Sequence, residues 1–218
     1  MNTEPILVEQ IRTGGDRNFG YLAADALSRE AFIVDPSYSP EGIVLAAHEA
    51  GYRLRYVFST HGHVDHTCGN ADIQRLTGLE PLLLGSTCPS TGILVEDGAR
   101  FPLGNGEVLI VHTPGHTADS ICILYGDALF TGDTLFVGKV GGTATEDDAR
   151  AQYDSLHRKL MTLPSPTQVW PGHDYGAHPS SDIDSECASN PFLIQKDFAS
   201  FFDLKQNWPA YKRAHGIA

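Results

Sequence analysis

Apolar residues fall into short runs separated by Gly, Pro, Asp and Ser, a rhythm that predicts many short elements joined by turns. Asn18 to Ser37, NFGYLAADALSREAFIVDPS, holds two apolar runs around a polar break and predicts a hairpin or adjacent strands. In SPEGIVLAAHEAG, Ile43, Val44, Ala46, Ala47 and Ala50 recur at helical spacing, with Ser39 placed to cap, Pro40 suited to the first turn and Gly51 at the end. LRYVFST then reads as a short buried strand, Asp72 to Thr77 as a short helix, and PLLLG as a further strand. From FPLGNGEVLIVHTPGH through SICILYGDALFTGD, apolar runs divided by Gly104, Gly106 and Gly126 predict a series of strands. Thr145 and Asp148 are spaced as a capping box, and Ala149, Tyr153, Leu156, Leu160 and Leu163 carry a helix toward Pro164. TQVW predicts a strand ending at PGHD, and Asp197 to Ala214 a helix that Pro209 should break or kink.

Strands, helix, strand and a histidine loop thus occur in the first half, and the second half roughly repeats that plan. Two sheets packed face to face with helices outside would bury both sets of strands. At 218 residues the chain is of single-domain size, and one domain over 1–218 with a short helical tail at about 197–218 is expected. No internal repeat, low-complexity segment or linker interrupts it. The opening MNTEPILVEQIRTGG lacks a basic segment followed by an apolar one, and no stretch approaches a membrane span, so a soluble cytoplasmic protein is expected. Cys68, Cys88, Cys122 and Cys187 form no C-x-x-C pair, which points to reduced thiols; Cys68 is expected to serve packing. The formal charge of −12 is spread along the chain, which disfavours a nucleic-acid partner and fits a site that holds cations.

Chemistry concentrates in THGHVDH, Thr60 to His66, where His61, His63, Asp65 and His66 lie on a loop at a strand end. Imidazole nitrogen and carboxylate oxygen are ligands of choice for Zn²⁺ and non-haem iron. Along an extended loop His61 and His63 point the same way and can grip one ion, with Gly62 expected to permit a tight turn. Asp65 and His66 project toward a neighbouring position, which suggests a second ion. His116 in HTPGHTADS, Asp133 in FTGDTLF and His173 in WPGHDYG each follow an apolar strand and sit beside glycine. A Gly-His or Gly-Asp pair at one strand end after another has no shared structural role, so the set reads as a metal site. His48, His112, His157 and His215 read as ordinary side chains, and His178 as an ordinary loop residue or an outer contact of the site.

These stretches, T-H-G-H-V-D-H, T-P-G-H-T, G-D-T-L-F and P-G-H in that order, resemble the metallo-β-lactamase superfamily. The resemblance implies an α/β fold of the αβ/βα four-layer type, two mixed β-sheets packed together with helices outside and metals at one edge. It implies that His61, His63 and His116 bind one metal, that Asp65, His66 and His173 bind a second, and that Asp133 bridges them. Two Zn²⁺, or a mixture of Zn, Fe and Mn, would share a water that attacks an electrophilic carbonyl or phosphorus, with Asp65 as a catalytic residue that helps orient it.

Seven intact ligand positions argue against a β-lactamase proper, and the chain has neither the extra domain nor the basic channel of RNA-processing members. GDTLFVGKVGGTATEDDARAQYDSLHRKLMTLP, VWPGHDYG and SNPFL are similar to glyoxalase II, which implies thioester hydrolysis and a small thiol-derived, glutathione-like substrate; Lys139 and Tyr175, which flank ligand loops and carry polar tips, are the candidate substrate contacts. The family's glycine-rich insertion is shortened here to Gly138 to Gly142, and its C-terminal helices to one tail. The alternative resemblance is to persulfide dioxygenases, which implies one Fe²⁺ at His61, His116 and Asp133. Their Gly-Arg-Thr-Asp-Phe stretch is missing, since Gly142 to Thr145 carries no arginine. A non-catalytic metal-binding domain, as a homodimer, is a third expectation.

Overall fold

A computed structural model describes residues 6–216. The first sheet contains β1 (Ile6–Gly14), β2 (Asn18–Asp25), β3 (Glu30–Val34), β4 (Arg53–Phe58) and β5 (Pro81–Leu82), hydrogen-bonded in that order. β1, β2 and β3 are antiparallel neighbours, whereas β3, β4 and β5 run parallel. The second sheet is built from β6 (Arg100–Leu103), β7 (Gly106–His112), β8 (Ile121–Tyr125) and β9 (Ala128–Gly132). A small ribbon of β10 (Leu135–Phe136) and β11 (Lys139–Val140) follows β9, and β12 (Gln168–Pro171) and β13 (Ser181–Asp182) complete the second sheet in the order β13-β12-β9-β8-β7-β6. The pair β9 and β12 is parallel and the other pairs of that sheet are antiparallel, so both sheets are mixed.

Period-two alternation decides the layers, because successive strand side chains point to opposite faces. In β2, Phe19, Tyr21 and Ala23 enter the core between the sheets, while Leu22 and Ala24 face the outer layer. β3 divides in the same way: Phe32 and Val34 point inward, Ala31 and Ile33 outward. In β9, Ala128 and Phe130 point into the inter-sheet core and Leu129 away from it. Phe130 meets Tyr21 and Phe32 across the sheets, with ring centroids 5.0 and 5.7 Å apart.

Helices α1 (Pro40–Glu49), α2 (Val64–Thr67) and α3 (Asn70–Thr77) belong to the first half. Ile43 and Ala47 of α1 and Ile73 of α3 cover the outer face of the first sheet. Helices α4 (Glu146–Arg158), α5 (Ile183–Ser189) and α6 (Phe198–His215) belong to the second half. Leu156, Ile183, Phe201 and Leu204 from these helices pack with Leu129 and Val169 on the outer face of the second sheet. The order helix, sheet, sheet, helix is the expected four-layer αβ/βα arrangement.

Several local expectations are corrected. The helix begun by the Thr145 and Asp148 capping box ends at Arg158, and Leu160–Thr162 forms a separate 3₁₀ turn. Lys159 leaves the helix there, with its ammonium donating to the His112 carbonyl and the Asp97 carboxylate. PLLLG contributes only Pro81–Leu82 to the sheet. Ser39 stands at the N-cap of α1 without a side-chain capping bond. Pro209 does not end α6, which continues to His215. The residue four positions earlier loses one helix hydrogen bond at that proline, and side-chain packing of Phe201, Leu204, Trp208 and Tyr211 holds the helix on either side. The last two residues of the expected tail lie outside the described ones.

Candidate metal centre

The ligand candidates lie after the C-terminal ends of β4, β7, β9 and β12, where loops leave rigid strands. Backbone bonds tie these loops together: Ile121 N–H donates to the Thr60 carbonyl at 2.8 Å, and Gly172 N–H to the Gly132 carbonyl at 2.8 Å. His63 is the N-cap of α2, which turns Asp65 and His66 inward within one helical turn. Gly62 has no left-handed φ, contrary to the tight turn expected of it; a Cβ there would come 3.0 Å from Asp119 Oδ2. Gly132 is left-handed at φ 47°, and a Cβ at Gly172 would meet Asp133 Oδ1 at 2.6 Å.

All seven candidates converge. His61 Nε2 and His116 Nε2 lie 2.9 and 3.0 Å from His63 Nδ1. His66 Nε2 lies 3.2 Å from His173 Nε2, and Asp65 Oδ2 is 3.6 and 3.3 Å from those two nitrogens. Asp133 stands between the groups: Oδ1 is 3.3 Å from His66 Nε2 and 3.4 Å from His173 Nε2, while Oδ2 is 3.6 Å from His116 Nε2. Three sets, His61–His63–His116, His61–His66–Asp133 and Asp65–His66–His173, each have ligand atoms within 4.8 Å of one another and could hold a metal ion.

The donor set fits cations on the structure's own terms. Four histidines have their Nδ1 atoms occupied: His61 by Thr60 Oγ1 at 3.1 Å, His66 by Asp35 Oδ2 at 2.8 Å, His116 by the Gly142 carbonyl at 2.8 Å and His173 by the Asp16 carbonyl at 2.9 Å. Donation from each Nδ1 leaves the Nε2 lone pair pointing into the cluster. Asp133 Oδ1 is buried there without a hydrogen-bond partner among the described residues. A buried carboxylate oxygen among imidazole nitrogens calls for positive charge, which either a metal ion or the protonated form of His66 or His173 supplies.

Electrostatics divide the two groups. Burial pushes His61 down to about 4 and lowers His116 as well. Burial would also lower His66, but Asp35 and Asp133 outweigh it and raise His66 well above its ordinary value. His173 is raised by Asp133 against the same burial. Burial would raise Asp133, yet His173 and His66 beside it hold the carboxyl well below the usual range. Asp65 is lowered despite burial, by a 3.0 Å bond from Asn18 Nδ2 and by His66 and His173.

Lys139 and Tyr175, the expected substrate contacts, meet beside this cluster. The Lys139 ammonium lies 4.0 Å from the centre of the Tyr175 ring, which stacks on His173 at 4.7 Å. Tyr175 donates its hydroxyl to Asp16 Oδ2 at 2.6 Å, and the Arg17 guanidinium lies 4.8 Å from the ring centre. The SNPFL stretch acts from below: Asn190 donates to Glu186 Oε2, which in turn accepts from Gly138 N–H at the base of the Lys139 turn. His178 is exposed, and Cys68 is exposed rather than packed, because it faces out from the end of α2. Sequence reasoning missed Asp35, Asn18 and Asp16. The signal for Asp35 was an acidic residue at a strand end before Pro36, outside every histidine motif.

The chain belongs to the metallo-β-lactamase superfamily, whose model matches residues 14–92 and 78–173. It is similar to the hydroxyacylglutathione hydrolase of Rhodospirillum rubrum, 35% identical over 173 residues that cover 77% of this chain and 66% of that protein. The chain therefore spans just under two thirds of that hydrolase. It is also similar to the mitochondrial persulfide dioxygenase ETHE1 of Homo sapiens, 32% identical over 195 residues, covering 87% of this chain and 76% of that protein. A solved structure of ETHE1 from Myxococcus xanthus superposes with a TM-score of 0.83 at 31% identity, over 93% of this chain and 91% of that one. The probable polyketide biosynthesis zinc-dependent hydrolase BaeB of Bacillus velezensis is 31% identical over 215 residues, covering 91% of this chain and 93% of that protein.

Proposed function

We propose that this chain is a metal-dependent hydrolase that cleaves a thioester of a small thiol-derived molecule. The observation that carries the reading is Asp133, whose two oxygens face two separate imidazole groups while one of them lacks a hydrogen-bond partner. His61, His63 and His116 would hold one divalent ion, Asp65, His66 and His173 a second, and Asp133 both. Nitrogen and oxygen donors of this kind suit Zn²⁺, with Fe or Mn as substitutes. Bound there, such ions supply Lewis acidity and lower the pKa of water toward neutrality.

The protein's own groups prepare that chemistry. Thr60, Asp35 and the Gly142 and Asp16 carbonyls fix the imidazole orientations before substrate arrives. Asp65, whose pKa is held low, would help to orient the attacking water. His63 and Val64 are exposed, which leaves the cluster open to substrate on that side. Lys139 and Tyr175 contact the substrate away from the scissile bond. The likeness to a probable zinc-dependent hydrolase over nine tenths of both chains supports the hydrolase reading. No helix of the described residues is long and apolar enough to cross a membrane, and a cytoplasmic location goes with this reading.

One Fe²⁺ at His61, His116 and Asp133, serving a persulfide dioxygenase, is the second reading; the likeness to ETHE1 over nine tenths of both chains favours it. Metal analysis of protein purified without added metal, beside thioester hydrolysis and persulfide-dependent oxygen uptake, separates the two. Two zinc ions with hydrolysis supports the first reading. One iron with oxygen uptake overturns it.

A further inference from the structure

Behind His116, on the side away from the ligand cluster, lies a partly buried lysine that the site described so far does not use. Lys205 of α6 extends beneath the turn after β11 and donates to the Gly141 carbonyl at 2.7 Å and to Gln152 Oε1 at 2.5 Å. Gln152 of α4 is fully buried and donates its own Nε2 to the same carbonyl at 3.1 Å. The Phe201 and Phe192 rings lie 5.5 and 5.9 Å from the ammonium, and burial pushes its pKa down to about 7. Placing a lysine there is costly, which argues for a role at that point.

The two partners of Lys205 each touch the His116 loop. Gly141 is packed so closely that a Cβ on it would lie 1.9 Å from the Asp133 carbonyl oxygen and 3.1 Å from His116 Nδ1. The next residue, Gly142, provides the carbonyl that accepts from His116 Nδ1. On the other side, a Cβ at Gly115 would lie 2.3 Å from Gln152 Cβ, and Ser155 of the same helix donates to the Pro114 carbonyl at 2.9 Å. Among the described residues β11, which leads into the Gly141–Gly142 turn, pairs with β10 alone.

We propose that Lys205 is a positioning residue: from the C-terminal helix it clamps Gly141 and Gln152, and so sets the Gly142 carbonyl that orients His116. The inference rests on the metal-dependent reading of His116. Helix α6 is then part of the support of the site rather than an appendage. Groups that orient a ligand histidine typically change metal affinity about 10–100-fold when removed.

The test uses the full chain and Zn²⁺ alone, with affinities read by competition against a chromophoric chelator. Lys205→Met should weaken, by about 10–100-fold, the binding step that is abolished in His116→Ala, and leave the other step within twofold. Gln152→Leu should do the same, and the double variant should lose little more than either single one, because the residues act as one unit. Lys205→Arg, which keeps a cationic donor, should recover part of the loss. In thioester hydrolysis the fall should appear in kcat, with KM nearly unchanged. A folded Lys205→Met with both zinc steps unchanged, or with both weakened equally, overturns the proposal. Should Lys205→Met fail to fold, Gln152→Leu decides by the same criterion. Wild-type protein that binds no zinc or iron defeats the underlying metal reading instead, a result distinct from any difference among the variants.

Discussion

Replacing Asp35 by Asn tests whether histidine orientation, rather than ligand identity alone, makes the metal centre. Asp35 is buried, and it accepts three bonds: Oδ1 from Thr60 N–H at 2.7 Å, Oδ2 from Thr60 Oγ1 at 2.7 Å and from His66 Nδ1 at 2.8 Å. An asparagine can keep its oxygen toward the Thr60 N–H, but its amide nitrogen then faces His66 Nδ1. Two donors cannot share that contact, so His66 must move its proton to Nε2. Nε2 is the atom 3.2 Å from His173 Nε2 and 3.3 Å from Asp133, and once protonated it has no lone pair to give. Backbone strain does not confuse the result. Asp35 sits at φ 47°, a left-handed conformation that asparagine adopts as readily as aspartate. The expected loss is about 10–100-fold in affinity at the ion held by His66, or roughly 1.4–2.8 kcal/mol at 1.4 kcal/mol per tenfold. Chelator competition with Zn²⁺ measures it, with circular dichroism as the check on folding. A folded variant that retains both ions at wild-type affinity would refute the orientation argument.

Gly172→Ala places a Cβ 2.6 Å from Asp133 Oδ1 and 2.8 Å from His66 Cε1, so the bridging carboxylate must move; metal content should fall to less than half, and full content by elemental analysis would count against the bridging role. Phe130→Ala empties the centre of the inter-sheet core beside Tyr21 and Phe32, and should cost about 3–5 kcal/mol by urea denaturation; a loss below 1 kcal/mol would contradict the packing. Glu30 accepts from Gly104 N–H at 2.9 Å and Arg55 Nη1 at 2.7 Å, and the Gly104 bond and the arginines lower its pKa from 4.5. Its folded form therefore holds the proton less tightly than the unfolded chain, so its stabilisation is present above pH 4.5 and is lost as pH falls below it. Glu30→Gln should destabilise by about 1 kcal/mol at pH 7, with the gap to wild type closing in acid; a gap independent of pH would show that the carboxylate charge is not the cause.

Much of the fold was legible because its signals are local. The apolar runs of β2, β3 and β9 marked them as strands, while which side chains face the inter-sheet core and which a helix was left to packing, because these strands are buried on both faces. The Thr145 and Asp148 cap marked the start of α4 to the residue. Boundaries set by tertiary contact were less legible: α4 stops short of Leu160 because Lys159 turns to His112 and Asp97. α6 passes Pro209 because the apolar side chains on both sides of it are already packed on the second half's core.

By itself the sequence determined the ligand candidates, since an imidazole or carboxylate is a potential ligand wherever the chain carries it, and strand ends followed by glycine turns told where to look. What only the tertiary structure decided is how those ligands are aimed. His66 is set by Asp35, 31 residues away; Asp65 by Asn18, 47 residues away; and His173 by the Asp16 carbonyl, 157 residues away. Lys205 reaches Gly141 across 64 residues. Such contacts leave no periodic trace in a sequence, because each partner is one polar residue, or one carbonyl that any residue supplies. They exist only once the two sheets pack and bring separate strand ends to one edge.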